Sequence, residues 1–181
     1  MRVISGSAGG RNLKEPAGSS IRPTSGKVKE SIFSIVQFDI EGRRVLDLFA
    51  GTGQLGIEAL SRGARSVVFV DSATESVKLI RENLKICGFS EFAEVYPRDA
   101  IRHIECDGKF DLIFIDPPYD SKLAEMAVMK IIEFDKLNIN GIMISESNSS
   151  ISALEVPLPY MLKREYKYGG VKIAKYTREA F

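Results

Sequence analysis

Apolar residues follow two different spacings along the chain after residue 43. Short, almost continuously apolar runs, which are typical of buried parallel strands, alternate with longer segments whose apolar residues recur every three or four positions, as on a helix. The predicted strands span residues 43–49, 66–71, 93–97, 109–116 and 140–146, and the predicted helices span 54–63, 73–88 and 122–134. This alternation predicts an α/β fold with a doubly wound, mostly parallel sheet.

The two ends of the chain have different patterns. Residues 161–178 predict two strands joined by Tyr168-Gly169-Gly170, a hairpin that adds an antiparallel edge and gives a seven-stranded sheet. Residues 1–23 predict a short, turn-rich basic arm, and Thr24 is a candidate N-cap for a following helix. We therefore predict one domain over residues 1–181, with 1–23 as the arm and 24–181 as the core.

Composition adds limits on the kind of protein. The chain has 181 residues, of which 44% are hydrophobic and 27% charged, as in ordinary soluble globular proteins. No apolar run approaches the roughly 20 residues that span a bilayer, and the first residues lack an apolar signal core, so we expect a cytoplasmic monomer without membrane contact. Cys87 and Cys106 have no nearby Cys or His partner, which favours reduced thiols over a metal site or a disulfide.

Charge is unevenly distributed, although the formal net charge is only +1. Basic residues outnumber acidic ones within residues 1–30 and again within 161–178. These ends could form a rim for a polyanion if the fold brings them together. Two solvated faces would give the same pattern, and charge alone favours that interpretation.

A glycine-rich loop follows the first strand of the alternating region. Gly51, Gly53 and Gly56 have the GxGxxG spacing, and Asp71 ends the next strand about 20 residues later. The same pattern binds dinucleotides, so the glycines alone do not choose a cofactor.

Asp47 favours a cationic cofactor. It lies on the strand that enters the loop and faces the same crevice, where a carboxylate would repel a pyrophosphate but attract the ammonium and sulfonium groups of S-adenosylmethionine. Asp71 can accept hydrogen bonds from ribose hydroxyls. Asp99 could accept from the adenine amino group, and it is also a candidate N-cap. These residues predict an S-adenosylmethionine site; a tight turn with an incidental Asp is the alternative.

The sequence Asp116-Pro117-Pro118-Tyr119 follows the fourth strand and enters the same crevice. An exocyclic amine on a base is a poor nucleophile, because its lone pair is delocalised into the ring. The Asp116 carboxylate and the Pro117 carbonyl could accept its two N–H bonds and aim the lone pair, while Pro118 restricts the backbone and Tyr119 stacks on the base. A rigid turn after a strand is the alternative interpretation.

Several segments together resemble the bacterial 16S rRNA guanine(966)-N2 methyltransferase family. They are NLKEP, IRPTSGKVKESIFS, LDLFAGTGQLGIEALSRGA, FIDPPY and GGVKIAKYTR, and the resemblance runs from Arg2 to Arg178. It implies the Rossmann-like class I methyltransferase fold, S-adenosylmethionine as cofactor and the N2 amine of a small-subunit rRNA guanine as target.

The resemblance also implies roles by position. The cofactor-binding residues would be Asp47, Phe49, Ala50, Gly51, Gly53, Asp71, Asp99 and Ala100; the target base would lie against Asp116, Pro117, Pro118 and Tyr119; and Arg22, Thr24 and Lys27 would contact RNA, with Glu30 ordering the arm. The family often has Arg where Lys27 and Lys29 stand, and a lysine cannot make the bidentate phosphate contact of an arginine. A charged helix face explains the residues of the arm equally well.

Two further polar residues have open roles. His103 is expected at the surface or half-buried, since the reaction does not require a general base. Glu146, at the end of the fifth strand, could orient the target or the arm, or be a solvated charge.

The favoured function is N2 methylation of a guanine in 16S rRNA, within a 30S assembly particle that contains ribosomal proteins. A DNA adenine-N6 or protein glutamine-N5 methyltransferase is an alternative, although the chain has no room for the separate target-recognition domain that such enzymes usually carry. A NAD(P)-dependent oxidoreductase and a noncatalytic assembly factor are further alternatives; Asp47 and Asp116-Pro117-Pro118-Tyr119 argue against the oxidoreductase.

Overall fold

The computed structural model describes residues 1–16, 26–106, 108–118 and 122–180. Within them, seven strands form one sheet in the order β3-β2-β1-β4-β5-β7-β6. The strands are β1 (Arg44–Leu48), β2 (Ser66–Asp71), β3 (Ala93–Pro97), β4 (Phe110–Ile115), β5 (Leu137–Asn148), β6 (Tyr160–Tyr168) and β7 (Val171–Arg178). Neighbours among β1–β5 pair in parallel, whereas β7 pairs antiparallel with both β5 and β6. The predicted mostly parallel sheet and C-terminal hairpin are confirmed.

Helices cover both faces of the sheet. They are α1 (Gly26–Ile35), α2 (Gln54–Ser61), α3 (Thr74–Cys87), α4 (Ala100–Ile104) and α5 (Leu123–Glu133), with a short 3-10 helix at Ser90–Phe92. Along β4, Leu112 and Phe114 pack with α1, α2 and α3, whereas Ile113 and Ile115 pack with α4 and α5. This alternation explains the continuously apolar strand pattern, because both faces are buried. None of the helices in the described chain has the length and apolar character needed to cross a membrane.

Strand β5 begins at Leu137, three residues before its predicted start at residue 140. Leu137 pairs with Phe110, and the register then shifts so that Leu112 pairs with Ile142. Asn140 lies inside this irregularity with a φ of 60°. The predicted boundary was wrong because an Asn-Gly pair that ordinarily ends a strand here forms a bulge within one.

The first part of the arm, residues 1–16, is docked on the core. Val3, Ala8 and Leu13 are buried in the cluster that contains α1, α2 and α3. Arg2 forms an isolated antiparallel bridge with Asn12. A turn-rich arm was predicted; its apolar residues fix it to the helix layer on one side of the sheet.

Candidate active site

The crevice predicted to hold the site lies at the topological switch point of the sheet. From β1 the chain continues to β2 and β3 on one side, and from β4 it continues to β5 on the other. Asp47 lies near the carboxyl end of β1, Asp71 ends β2, Asp99 follows β3, and Asp116 follows β4. Since parallel strands end at the same edge, this topology brings all four predicted carboxylates to one rim.

The glycine loop between β1 and α2 has an unusual backbone. Phe49, Gly51 and Gly53 have φ values of 60°, 56° and 78°. The conformation at Phe49, a non-glycine residue, is costly and persists because the surroundings hold it, which is common at binding loops. A Cβ on Gly53 would lie 3.2 Å from Cγ1 of Ile80, in contact tighter than normal packing allows. Glycine at position 53 therefore provides the positive φ and lets the loop pack closely on Ile80 of α3.

Asp47 is only 1% exposed, and its Oδ2 accepts a hydrogen bond of 2.8 Å from the Gly56 N–H. Burial raises the pKa of Asp47 well above its ordinary value, and the nearby carboxylates of Asp116 and Asp71 raise it further, whereas the Gly56 N–H lowers it. A buried carboxylate near two others favours a cationic ligand. The ammonium and sulfonium groups of S-adenosylmethionine fit this requirement.

Asp71 and Asp99 are held by backbone N–H groups. Asp71 accepts from Gly51 at 2.8 Å and from Ala73 at 2.9 Å, one bond on each oxygen. Each carboxylate oxygen has a second lone pair, so Asp71 can still accept from ribose hydroxyls. The exposed Asp99 accepts from the Arg102 N–H at 2.9 Å and is the N-cap of α4, as predicted.

Two of the remaining predicted cofactor residues are buried beside these carboxylates. Ala50 is 8% exposed and Ala100 is 4% exposed. Small side chains at these positions keep the rim open. Taken together, the loop backbone and the acidic rim fit S-adenosylmethionine.

Asp116, Pro117 and Pro118 form the other side of the crevice. Asp116 is half-buried directly after β4, Pro117 is buried and Pro118 is exposed. The two prolines line a cleft of about 430 Å³ together with Glu146 of β5 and Lys122, which precedes α5. This space is of the size of small-molecule sites.

Three predicted residues, Arg22, Thr24 and Tyr119, lie outside the described residues. Lys27 is exposed in the first turn of α1, and Glu30 is exposed on the same helix. Lys29 points inward: its Nζ donates to the Arg2 carbonyl at 2.7 Å and lies 3.3 Å from Oε2 of Glu58.

Two residues with open roles are more buried than expected. His103 is 8% exposed, and its ring centroid lies 4.9 Å from that of Tyr96. Burial lowers the pKa of His103, and the Arg98 cation lowers it further. The expectation of a surface or half-buried His103 was wrong because α4 packs this ring under Tyr96. Glu146 is 2% exposed, so it is not a solvated strand-end charge.

Many charges of the two basic ends have acidic partners within the protein. Lys175 of β7 donates to the carbonyl of Ile35 in α1 and lies 3.4 Å from Asp39. The other pairs are Lys14–Glu82, Lys163–Glu179, Lys172–Glu165 and Arg178–Asp135. Many of the lysine and arginine side chains in these two segments therefore form ion pairs within the protein.

Sequence reasoning missed two buried polar residues that hold the arm next to the site. Glu58 of α2 accepts from the Ile4 and Ser5 N–H groups, and Asn83 of α3 contacts both Lys14 and Thr52. Asn83 lies three residues after Ile80 and four before Cys87, on the apolar stripe of its helix. A polar residue on such a stripe was the signal that could have found it.

A doubly wound sheet with a glycine loop, an acidic rim and an Asp-Pro-Pro turn at its switch point is that of a class I S-adenosylmethionine-dependent methyltransferase. Comparison with known proteins specifies the family. The family model described as "Conserved hypothetical protein 95" matches residues 1–177. The chain belongs to this family, that of the small-subunit rRNA methyltransferase D proteins.

Similar proteins cover nearly the whole chain. "Putative rRNA methyltransferase YlbH" of Bacillus subtilis is 40% identical, over 98% of this chain and 99% of that protein. "Ribosomal RNA small subunit methyltransferase D" of Haemophilus influenzae is 33% identical, over 97% and 93%. The structure of "Putative methyltransferase yhhF from Escherichia coli" is 28% identical and superimposes with a TM-score of 0.90, over 100% and 99% of the two chains.

Proposed function

We propose that this methyltransferase acts on the exocyclic N2 amine of a guanine in 16S rRNA, at a site of the G966 type, in the cytoplasm. The observation that carries the proposal is the position of Asp116, directly after β4 and close enough to Asp47 to raise the pKa of that residue. Two relatives with similar chains are named small-subunit rRNA methyltransferases, which supports an rRNA substrate.

Different residues of the crevice would contact different parts of the cofactor. Asp47, Gly51 and Gly53 would hold the methionine end of the cofactor, Asp71 the ribose and Asp99 the adenine, with Phe49, Ala50 and Ala100 forming the walls. Bound S-adenosylmethionine supplies a methyl group on a sulfonium, whose departing sulfur is a neutral leaving group. The protein's task is then mainly to position the acceptor amine.

The Asp-Pro-Pro turn would bind the acceptor amine. The Asp116 carboxylate and the Pro117 carbonyl accept the two N–H bonds and direct the nitrogen lone pair toward the methyl group. Pro118 keeps the Pro117 carbonyl in an extended backbone. The transfer itself needs no general base, and the hydrogen-bonded Asp116 carboxylate can accept the proton that the nitrogen loses once it carries the methyl group.

The first experiment measures transfer of labelled methyl groups to small-subunit particles and to 16S rRNA, with the product nucleoside identified by mass spectrometry. We expect N2-methylguanine from the wild type and a loss of about 10²–10⁴-fold in rate for Asp116→Ala. Asp111→Asn is a matched control, because Asp111 lies at the opposite end of β4 and bonds Arg44 and Asn138.

Other products would revise the proposal. Methyladenine or a methylated protein would keep the methyltransferase class and contradict the guanine target. Cofactor binding without transfer to any of these substrates would favour an assembly factor. Full activity of Asp116→Ala would contradict the role of the Asp-Pro-Pro turn.

A further inference from the structure

A single buried side chain connects the glycine loop to the N-terminal arm. Asn83 of α3 is fully buried, at 0% exposure. Its Nδ2 donates to the Thr52 carbonyl at 3.0 Å and to the Lys14 carbonyl at 3.2 Å. Its Oδ1 accepts from the Lys14 N–H at 2.7 Å. Both amide hydrogens and the amide oxygen therefore have partners, and these partners belong to two different segments.

We propose that Asn83 is a positioning residue that makes cofactor affinity and docking of the N-terminal arm depend on each other. Thr52 lies between Gly51 and Gly53, the two loop glycines predicted to contact the cofactor. Asn83 itself acts through the loop backbone. This coupling involves only the cofactor loop and the arm, so it does not depend on which base is methylated.

The loop end of this connection depends on a correctly oriented carbonyl. Thr52 is 3% exposed, so its carbonyl has little access to water. Losing the Asn83 N–H would leave that carbonyl buried without this donor, which destabilises the ordered loop. A loop released in this way must be ordered again when the cofactor binds, which weakens binding.

The arm end of the connection uses the same amide. Lys14 gives both its N–H and its carbonyl to Asn83, a two-point contact that fixes the arm where it approaches the loop. Coupling between two bound segments is reciprocal. If the docked arm helps Asn83 to hold the loop, a ligand that orders the loop must also stabilise the docked arm.

Asn83→Asp tests the connection with almost no change in shape. An ionised aspartate can still accept from the Lys14 N–H, but it has no hydrogens for the two carbonyls, and even a protonated one could donate to only one of them. The probe is S-adenosylhomocysteine. We expect its Kd, measured by calorimetry, to rise about tenfold, since one lost bond of about 1.4 kcal/mol has that effect.

Hydrogen exchange gives a second readout that is independent of activity. In the wild type, S-adenosylhomocysteine should slow exchange at the amides of residues 13 and 14, and in Asn83→Asp this slowing should be lost. Ser61→Ala is the control: Ser61 bonds Ala8 and Ser5 of the arm from the other end of α2. It should speed exchange near Ser5 and Ala8. Because the contact between Lys14 and Asn83 remains, the response to the ligand should persist and the Kd should stay within about twofold of wild type.

Two outcomes would overturn the proposal: a Kd in folded Asn83→Asp within about twofold of wild type, or the same ligand-dependent slowing in both proteins. If Asn83→Asp fails to fold, Asn83→Ala removes the same donors without a buried charge and is judged by the same two measurements. Because RNA takes no part, a wrong guanine target would leave these results unchanged.

Discussion

At the scale of single residues, Asp47 combines a role in binding with a cost in stability. Its burial and its acidic neighbours raise its pKa. A carboxyl whose pKa is higher in the folded than in the unfolded chain stabilises the fold below the unfolded pKa of about 3.9, and that stabilisation is lost as pH rises through the folded pKa. At a pH above the folded pKa, the cofactor-free protein carries a buried charge that destabilises the fold, and a bound cation would stabilise that charge.

We predict that Asp47→Asn raises the Tm of the cofactor-free protein at pH 7, while it weakens S-adenosylhomocysteine binding by about 2 kcal/mol or more. The amide oxygen can still accept from the Gly56 N–H, so the loop contact survives. Thermal melts from pH 4 to pH 8 and calorimetry measure both effects. The gain in Tm should shrink toward pH 4, where the wild-type carboxyl is protonated; a gain independent of pH would contradict the explanation.

The sequence predicted the residues that belong to motifs, and it missed those that support them. Asp47, Asp71, Asp99 and Asp116 were predicted because each lies at or near the carboxyl end of a strand, and topology brings such positions to one edge. Asn83 and Glu58 lie within helices, and their partners are backbone groups of an arm some 50 to 70 positions earlier in the chain. Local patterns carry no information on which distant backbone a buried side chain will meet.

At the scale of elements, the contact between α2 and β2 depends on the absence of a side chain at Gly56. A Cβ there would lie 2.2 Å from Cε1 of Phe69 and 2.8 Å from Cγ1 of Val67. The third glycine of the loop motif therefore allows the helix to pack closely on the strand, and so fixes where the loop ends.

We predict that Gly56→Ala destabilises the protein by about 1–3 kcal/mol, although alanine is the better helix former, because the methyl group overpacks the contact with Phe69. A shift in Tm of about 2–4 °C for each kcal/mol would report the loss. Gly26→Ala is the matched control, since a Cβ there meets nothing within 4 Å. Equal melting of Gly56→Ala and wild type would contradict this account.

Prediction of elements succeeded where hydrophobic spacing was regular and failed at irregular places. All seven strands were expected, five from their short apolar runs and the last two from the hairpin signal at Tyr168-Gly169-Gly170. The start of β5 was placed too late, since Asn140 resembles a boundary. The strand includes the residues before Asn140 because Leu137 pairs with Phe110, and this long-range contact is not visible in the local sequence.

At the scale of the whole molecule, the formal net charge is only +1, and several basic residues in the described part of the chain form ion pairs within the protein, which limits the electrostatic attraction to RNA. Binding to a bare polyanion depends on cations that are free to contact phosphates. A preassembled particle that supplies further contacts would make up for this deficit.

We therefore predict that kcat/KM for small-subunit particles exceeds that for naked 16S rRNA by about tenfold or more, equal to about 1.4 kcal/mol of additional binding. The measurement is methyl transfer to both substrates at the same salt concentration. Equal rates would contradict a requirement for ribosomal proteins.

The place of β7 in the sheet affects how the protein can fold while it is being translated. β7 follows the other six strands in the chain, yet it pairs with β5 on one side and β6 on the other. Until residues 171–178 leave the ribosomal tunnel, the emerging chain exposes the unpaired edge of β5 and a β6 without its partner. Open edges recruit strands from other chains, so this nascent chain needs shielding until its sheet can close around β7.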